Sequence, residues 1–162
     1  MEAILLTHSQ LAATLAGFAS VVAAFQRPLS PVQRHRFLTI LFSSLIQILA
    51  CLVPVWFATS EDVGPLFWSI FSGVHLGFSV FLWGVLVYPL KGLGKSGVIA
   101  INLPVTVIVY FLGMAIMGTL IANTFMTSIA NFSLYYSALL GGLMIIFLVF
   151  ADIAIRTDQA ED

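Results

Sequence analysis

Residues 11–25 read LAATLAGFASVVAAF, a run in which Ala, Gly, Ser and Thr alternate irregularly with Leu, Val and Phe and no charge intervenes. Whether this run spans a membrane decides the fold, because the chain has five spanning segments with it and four without it. Extended over Ala3–Phe25 it matches the roughly 20 apolar residues needed to cross a hydrocarbon core. It lacks a basic leading region and a clear cleavage site, so it reads as an uncleaved helix and not as a signal peptide. A four-helix arrangement would leave the whole run stranded off the membrane.

The rest of the chain has the same character. Of 162 residues, 60% are hydrophobic and only 8% charged, and the mean hydropathy is +1.09. A soluble domain carries about a quarter charged residues, so this composition cannot coat a water-facing surface. Four further apolar segments follow: Phe37–Ala58, Pro65–Leu90, Val98–Ala122 and Phe132–Ile155. Backbone groups in hydrocarbon must pair within their own segment, so each is expected to be a helix. No fixed-period repeat and no long linker divides them. The expectation is one all-α domain over residues 1–162, a bundle of five transmembrane helices (3–25, 37–58, 65–90, 98–122 and 132–155).

Basic residues orient the bundle. Arg27, Arg34 and Arg36 lie in the first break, Lys91 and Lys95 in the third, and Arg156 follows the last segment. The second break holds Glu61 and Asp62 and no basic residue, and the fourth, NTFMTSIAN, is uncharged. All six Lys and Arg therefore fall on one side, which the positive-inside rule makes cytoplasmic, with the N-terminus outside and the C-terminus inside. Arg27, Arg34 and Arg36 are placed to meet anionic headgroups there, each worth on the order of 1 kcal/mol.

The small residues of the opening run fall together. On a helical wheel His8, Ser9, Ala12, Ala13, Ala16, Gly17, Ala19, Ser20, Ala23 and Ala24 occupy one half, and Leu11, Leu15, Phe18, Val21, Val22 and Phe25 the other. Small residues spaced by four let backbones approach closely, and helix association in lipid depends on such packing. The first helix is thus expected at the centre of the bundle, packed along Ala12, Ala16, Gly17 and Ser20; the alternative is that this half lines a water-filled path. Similar stripes recur at Gly73 and Gly77, with Ser69 and Gly84, and at Ser133, Ser137 and Gly141, with Ala138 and Gly142. Together they exceed what five helices need internally and point to a homo-oligomer or to a membrane subunit partner.

Polar groups within apolar helices are where function is sought first. His75 lies near the middle of the third segment, with Ser72 and Ser79 on its face and Trp68 and Trp83 at the flanks. It reads either as a hydrogen-bonded packing residue or as a proton- or ion-sensing position on a polar path. The second segment aligns Arg36, Thr39, Ser43, Gln47 and Pro54, with Arg36 expected to reach the interface and the Gln47 amide in need of a partner. Pro54 and Pro104 point to kinks, Asn102 to a helix cap. Asp152 and Arg156 are spaced for an i, i+4 ion pair. Cys51, the single cysteine, excludes an internal disulfide and reads as packing. A bis-histidine haem would need His8 as partner to His75, and His8 sits nearer the outer surface; no cofactor is expected.

Enzyme signatures are missing: no HExxH, GxSxG or P-loop occurs, and KGLGKSG (91–97), whose residues 92–97 match GxGxxG by letter alone, lacks the Walker spacing and joins two membrane segments, where a turn is expected. Glu61 and Asp62 are adjacent in a loop, a poor geometry for acid–base work. No catalytic residue and no metal site is assigned, and a net charge of −1 argues against nucleic acid as a partner.

LAGFASVVAAFQR, followed by SPVQRHRF and a second helix, resembles the opening of many short bacterial integral membrane proteins with no assigned activity. The likeness covers the first third of the chain and implies a bacterial inner-membrane location. LAGFASVVAAF is also distantly similar to the pore helix of Orai calcium channels. That family has an acidic selectivity residue where this chain has Phe25, and four spans with a cytoplasmic N-terminus, so no calcium-channel role carries over. The function expected is a small oligomeric channel or transport protein, with a non-catalytic accessory subunit of a larger membrane complex as the alternative.

Overall fold

The computed structural model describes residues 1–25, 31–58, 63–90 and 103–157. Within them lie five helices: α1 (Glu2–Phe25), α2 (Pro31–Phe57), α3 (Pro65–Leu90), α4 (Leu103–Phe125) and α5 (Phe132–Thr157). There is no strand among the described residues. Each helix contains a stretch long and apolar enough to cross a membrane. Phe18, Phe81, Phe111, Phe125 and Phe147 are all more than half exposed. Such a surface is untenable in water and ordinary against lipid. The chain is a multi-pass membrane protein.

Two helices begin or end away from the positions expected. α2 starts at Pro31 and not at Phe37, because Pro fits the first helical position, where no N–H is needed, and Arg34, His35 and Arg36 continue the helix. α4 runs on to Phe125, since Thr124 satisfies its hydroxyl on the Leu120 carbonyl (2.7 Å) and Asn123 is bonded from outside the helix. Residues 98–102, including the proposed cap Asn102, lie outside the described residues. Pro104 stands in the first turn of α4, where it starts a helix and has no complete turn before it to kink.

Pro54 is inside α2 and does break the ladder. A proline has no N–H for the carbonyl four residues before it, which here is Ala50. That carbonyl accepts the Tyr135 hydroxyl of α5 at 2.5 Å, so a group orphaned in one helix is satisfied by another.

α2, α3, α4 and α5 form a ring in which each packs on its two neighbours, and α1 lies outside it, chiefly on α2 and secondarily on α5. The central position expected for α1 is therefore wrong. Its packed face is Leu5, His8, Ser9, Ala12 and Ala19, with Ala16 half-buried. Ala13, Gly17, Ser20 and Ala24 are exposed, and a Cβ at Gly17 would meet nothing. The small half is wider than the contact: only the edge facing α2 and α5 is used within the chain.

The two ends of the ring differ. At the end holding the 126–131 turn, Leu5, Cys51, Trp68, Leu120, Tyr135, Ala138 and Leu139 form a continuous core, flanked by Phe67, Phe71, Phe132 and Tyr136. Asn131 caps α5 by accepting the Leu134 N–H (2.9 Å) in the manner of an N-cap, and its own N–H donates to Asn123 Oδ1 (2.9 Å). Asn123 Nδ2 donates to Ser72 Oγ at 2.7 Å. At the other end Ala19, Phe37, Ile40, Ile146 and Ile153 form a second core where α1, α2 and α5 meet, and the space inside the ring is hollow.

Candidate functional site

The hollow is a cavity of about 220 Å³ inside the ring, lined by all four helices. α2 contributes His35, Arg36, Thr39, Ser43, Ile46 and Gln47; α3 contributes His75, Ser79, Leu82 and Trp83. α4 supplies Val105, Thr106, Val109, Tyr110, Gly113, Ile116 and Met117, and α5 supplies Gly142, Ile145, Val149 and Asp152. Three- and four-residue spacing on α2 brings Arg36, Thr39, Ser43 and Gln47 into one file, and α3 sets His75 and Ser79 beside it. The walls from α4 and α5 are mostly hydrocarbon. The chamber is thus polar along one side, apolar along the other, and backed by the aromatic core.

Gln47 and His75 sit at the deep end. Both side chains are buried, 4% and 2% exposed. Gln47 Oε1 lies 3.1 Å from His8 Nε2, so α1 reaches through to the cavity's deepest residue. With the oxygen accepting from His8, the Gln47 NH₂ points the other way, to Gly142. A Cβ at 142 would overlap that amide; glycine is there because the space belongs to Gln47. His75 packs edge-on against Tyr135 (ring centroids 5.9 Å apart), and its Nδ1 is buried with no hydrogen-bond partner. Buried polar atoms are nearly always bonded, so an exception at a cavity wall calls for an account.

At the shallow end Arg36 and Asp152 form an ion pair between α2 and α5, Nη1 to Oδ2 at 3.0 Å, with side chains 11% and 6% exposed. Two expectations change here. Arg36 turns into the bundle and does not reach out to headgroups, because a carboxylate at the same depth offers a charged partner in a low-dielectric setting. Asp152 pairs across helices; the side chain of Arg156, its expected partner, lies outside the described residues, as do Arg27, Lys91, Lys95, Glu61 and Asp62. Arg34 is exposed. Trp83 and Tyr110 close the α3–α4 side in a T-shaped contact (5.0 Å, 89°), with Gly113 leaving room for the indole, 3.6 Å from its would-be Cβ.

The structure thus gathers four of the residues singled out as a polar path, His75, Ser79, Gln47 and Ser43, and separates the fifth. Ser72 is fully buried in the solid half, bonded to Asn123. The small-residue stripes divide in the same way. Gly73 faces Thr124, whose Cγ2 would lie 3.3 Å from an added Cβ, and Ser69 donates to the Thr124 carbonyl at 2.6 Å. Gly77 faces nothing within the chain. Gly141 abuts Ile116, whereas Ser137 is exposed and bonds its own helix at Ser133.

Sequence reasoning missed His8 as the partner of Gln47 and the Arg36–Asp152 pair. A signal existed for the pair: Arg36 and Asp152 each stand five residues from the same-side end of their helices, so opposite charges were level in the bundle. Among the described residues no group of three or more His, Cys, Asp or Glu could hold a metal. Neither models of known protein families, nor curated proteins, nor solved structures match the chain. Its site therefore stands on its own geometry.

Proposed function

We propose that this chain is a small, non-enzymatic transport protein of a bacterial inner membrane, with its N-terminus outside, and that its solute occupies the cavity between α2, α3, α4 and α5. The observation that carries the reading is the cavity itself: hydrogen-bonding side chains aligned at depth inside an otherwise apolar ring, where a purely structural bundle would place hydrocarbon. Polar groups inside a membrane are costly and mark substrate paths. The cavity is lined from Arg36 and Asp152 at one end to Gln47 and His75 at the other, and behind His75 stands Tyr135 of the aromatic core. Movement of solute then requires the packed half to part.

A second reading, an accessory subunit of a larger membrane complex, is favoured by the faces of α1 and α3 on which Gly17 and Gly77 meet no neighbour. The test is flux and stoichiometry together. Purified protein in liposomes is expected to raise the permeability of small solutes or ions above that of empty vesicles, and Ile145→Trp, which fills the cavity, is expected to abolish the increase. Equal permeability with and without protein, across a panel of uncharged solutes and common ions, overturns transport and leaves the subunit reading.

A further inference from the structure

We infer that the deep end of the cavity is a recognition site for an uncharged organic molecule, bound through a single hydrogen-bond-accepting head, a carbonyl or hydroxyl oxygen, with its hydrocarbon body against α4 and α5. This rests on the transport reading above and names the chemical class of the solute.

The polarity of the site follows from one bond. His8 Nε2 and Gln47 Oε1 are 3.1 Å apart. An amide oxygen only accepts, so His8 donates and the Gln47 nitrogen is left with its two N–H groups turned from α1 toward Gly142 and the cavity. The absent side chain at 142 makes that orientation possible. His75, 2% exposed and with Nδ1 unpartnered, stands on the wall of the same chamber. An oxygen seated here accepts from the Gln47 N–H groups, beside the His75 ring on the same wall. His8 is thus a positioning residue: it touches no solute and decides what the amide offers.

Charge and size narrow the class further. Arg36 and Asp152 are the charged side chains on the described wall, and they are paired with each other. A bare ion entering a low-dielectric chamber finds no counter-charge, which is unfavourable by several kcal/mol. The body of the solute meets Ile116, Met117, Ile145 and Val149, surfaces that reward hydrocarbon. A dry cavity of about 150 Å³ holds benzene, so about 220 Å³ suits a ring bearing one short substituent.

Three probes of equal size separate the possibilities: acetophenone, which has a ring and a carbonyl; cumene, the same shape without oxygen; and benzoate, the same shape with a charge. Binding to the protein in lipid nanodiscs is measured by saturation-transfer NMR and calorimetry, with empty nanodiscs as blank. Acetophenone is expected to bind about tenfold more tightly than cumene, the equivalent of one well-made hydrogen bond, and benzoate not measurably. Gln47→Leu is expected to erase the preference for acetophenone over cumene. His8→Phe, which keeps a ring against Tyr136, is expected to reduce that preference by releasing the amide. Equal binding of acetophenone and cumene by the unmodified protein overturns recognition of the head. Tighter binding of benzoate overturns the uncharged class, and binding of none of the three leaves water as the occupant and overturns the inference. These comparisons on the unmodified protein stand even if a variant fails to fold. Selective binding without flux in liposomes removes transport and keeps the recognition site; flux without selective binding does the reverse.

Discussion

The two ends of the ring solve one problem, packing four helices in lipid, in opposite ways. At the 126–131 end every polar atom among Asn123, Ser72, Asn131 and Tyr135 that reaches inward has a protein partner, and the space between helices is filled by rings. Toward the Arg36 end side chains of the same kinds line a cavity, and deeper in the bundle the His75 Nδ1 and the Ser44 hydroxyl are buried without a partner. Polar residues are thus no guide to function by themselves. The polar groups of the packed end fasten helices to one another; those along the cavity also border a space, and that space is what the proposed binding role rests on.

The comparison is broken first at Tyr135. Tyr135→Ala removes a ring buried against Trp68 and His75 and re-exposes the Ala50 carbonyl, and loss of about 3–5 kcal/mol is expected. Tyr135→Phe keeps the ring and isolates the bond, which should cost about 1 kcal/mol. Reversible unfolding in mixed micelles reads both; equal costs for the two variants would mean the ring contributes nothing.

In the hollow half the largest effect is expected from charge. Arg36→Leu leaves the Asp152 carboxylate buried without Arg36 and should cost about 3 kcal/mol, whereas Arg36→Leu with Asp152→Leu should recover most of it. A double variant no more stable than the single one would show that the pair is not the cause.

Adjacent glycines give a finer test. Gly142→Ala drives a methyl into the Gln47 amide and should cost about 2 kcal/mol. Gly141→Ala meets the Ile116 side chain, Cγ1 at 2.7 Å and Cδ1 at 3.1 Å, a shallower overlap than the one at 142, so a smaller loss is expected. Thermal melting that ranks 141 above 142 would overturn the placement of Gln47. The smallest effects belong to α3. Gly73→Ala presses on Thr124 and should be mildly destabilising, and Gly77→Ala should leave the isolated chain unchanged. Should Gly77→Leu reduce the oligomer seen by light scattering while the monomer's melting temperature holds, the open face of α3 is an interface.

Much of the fold was legible because its causes are local. Apolar runs such as Phe37–Ala58 announce a span by length alone, and the proline at 65 stands at a helix start through its missing N–H, whereas the start of α2 at Pro31 was not read from the sequence. The file Arg36–Thr39–Ser43–Gln47 could be read from helical periodicity, and so could His75 with Ser79. Periodicity also grouped Ser72 with them, and it could not tell that Asn123 from another helix had already taken that hydroxyl. It grouped Gly17 with Ala12 although only one of them touches a neighbour, because a wheel shows which residues share a face and not which part of the face is covered.

The sequence by itself determined five apolar helices and which polar groups each presents at which depth, since the hydrophobic effect and the need to close backbone hydrogen bonds in lipid act within a segment. The tertiary structure alone decided that α1 lies outside the ring, that Arg36 meets Asp152, that His8 turns the Gln47 amide toward Gly142, and that one end is solid and the other hollow. Those outcomes depend on distances between helices, and a pattern along one helix carries no information about how far away the next one stands.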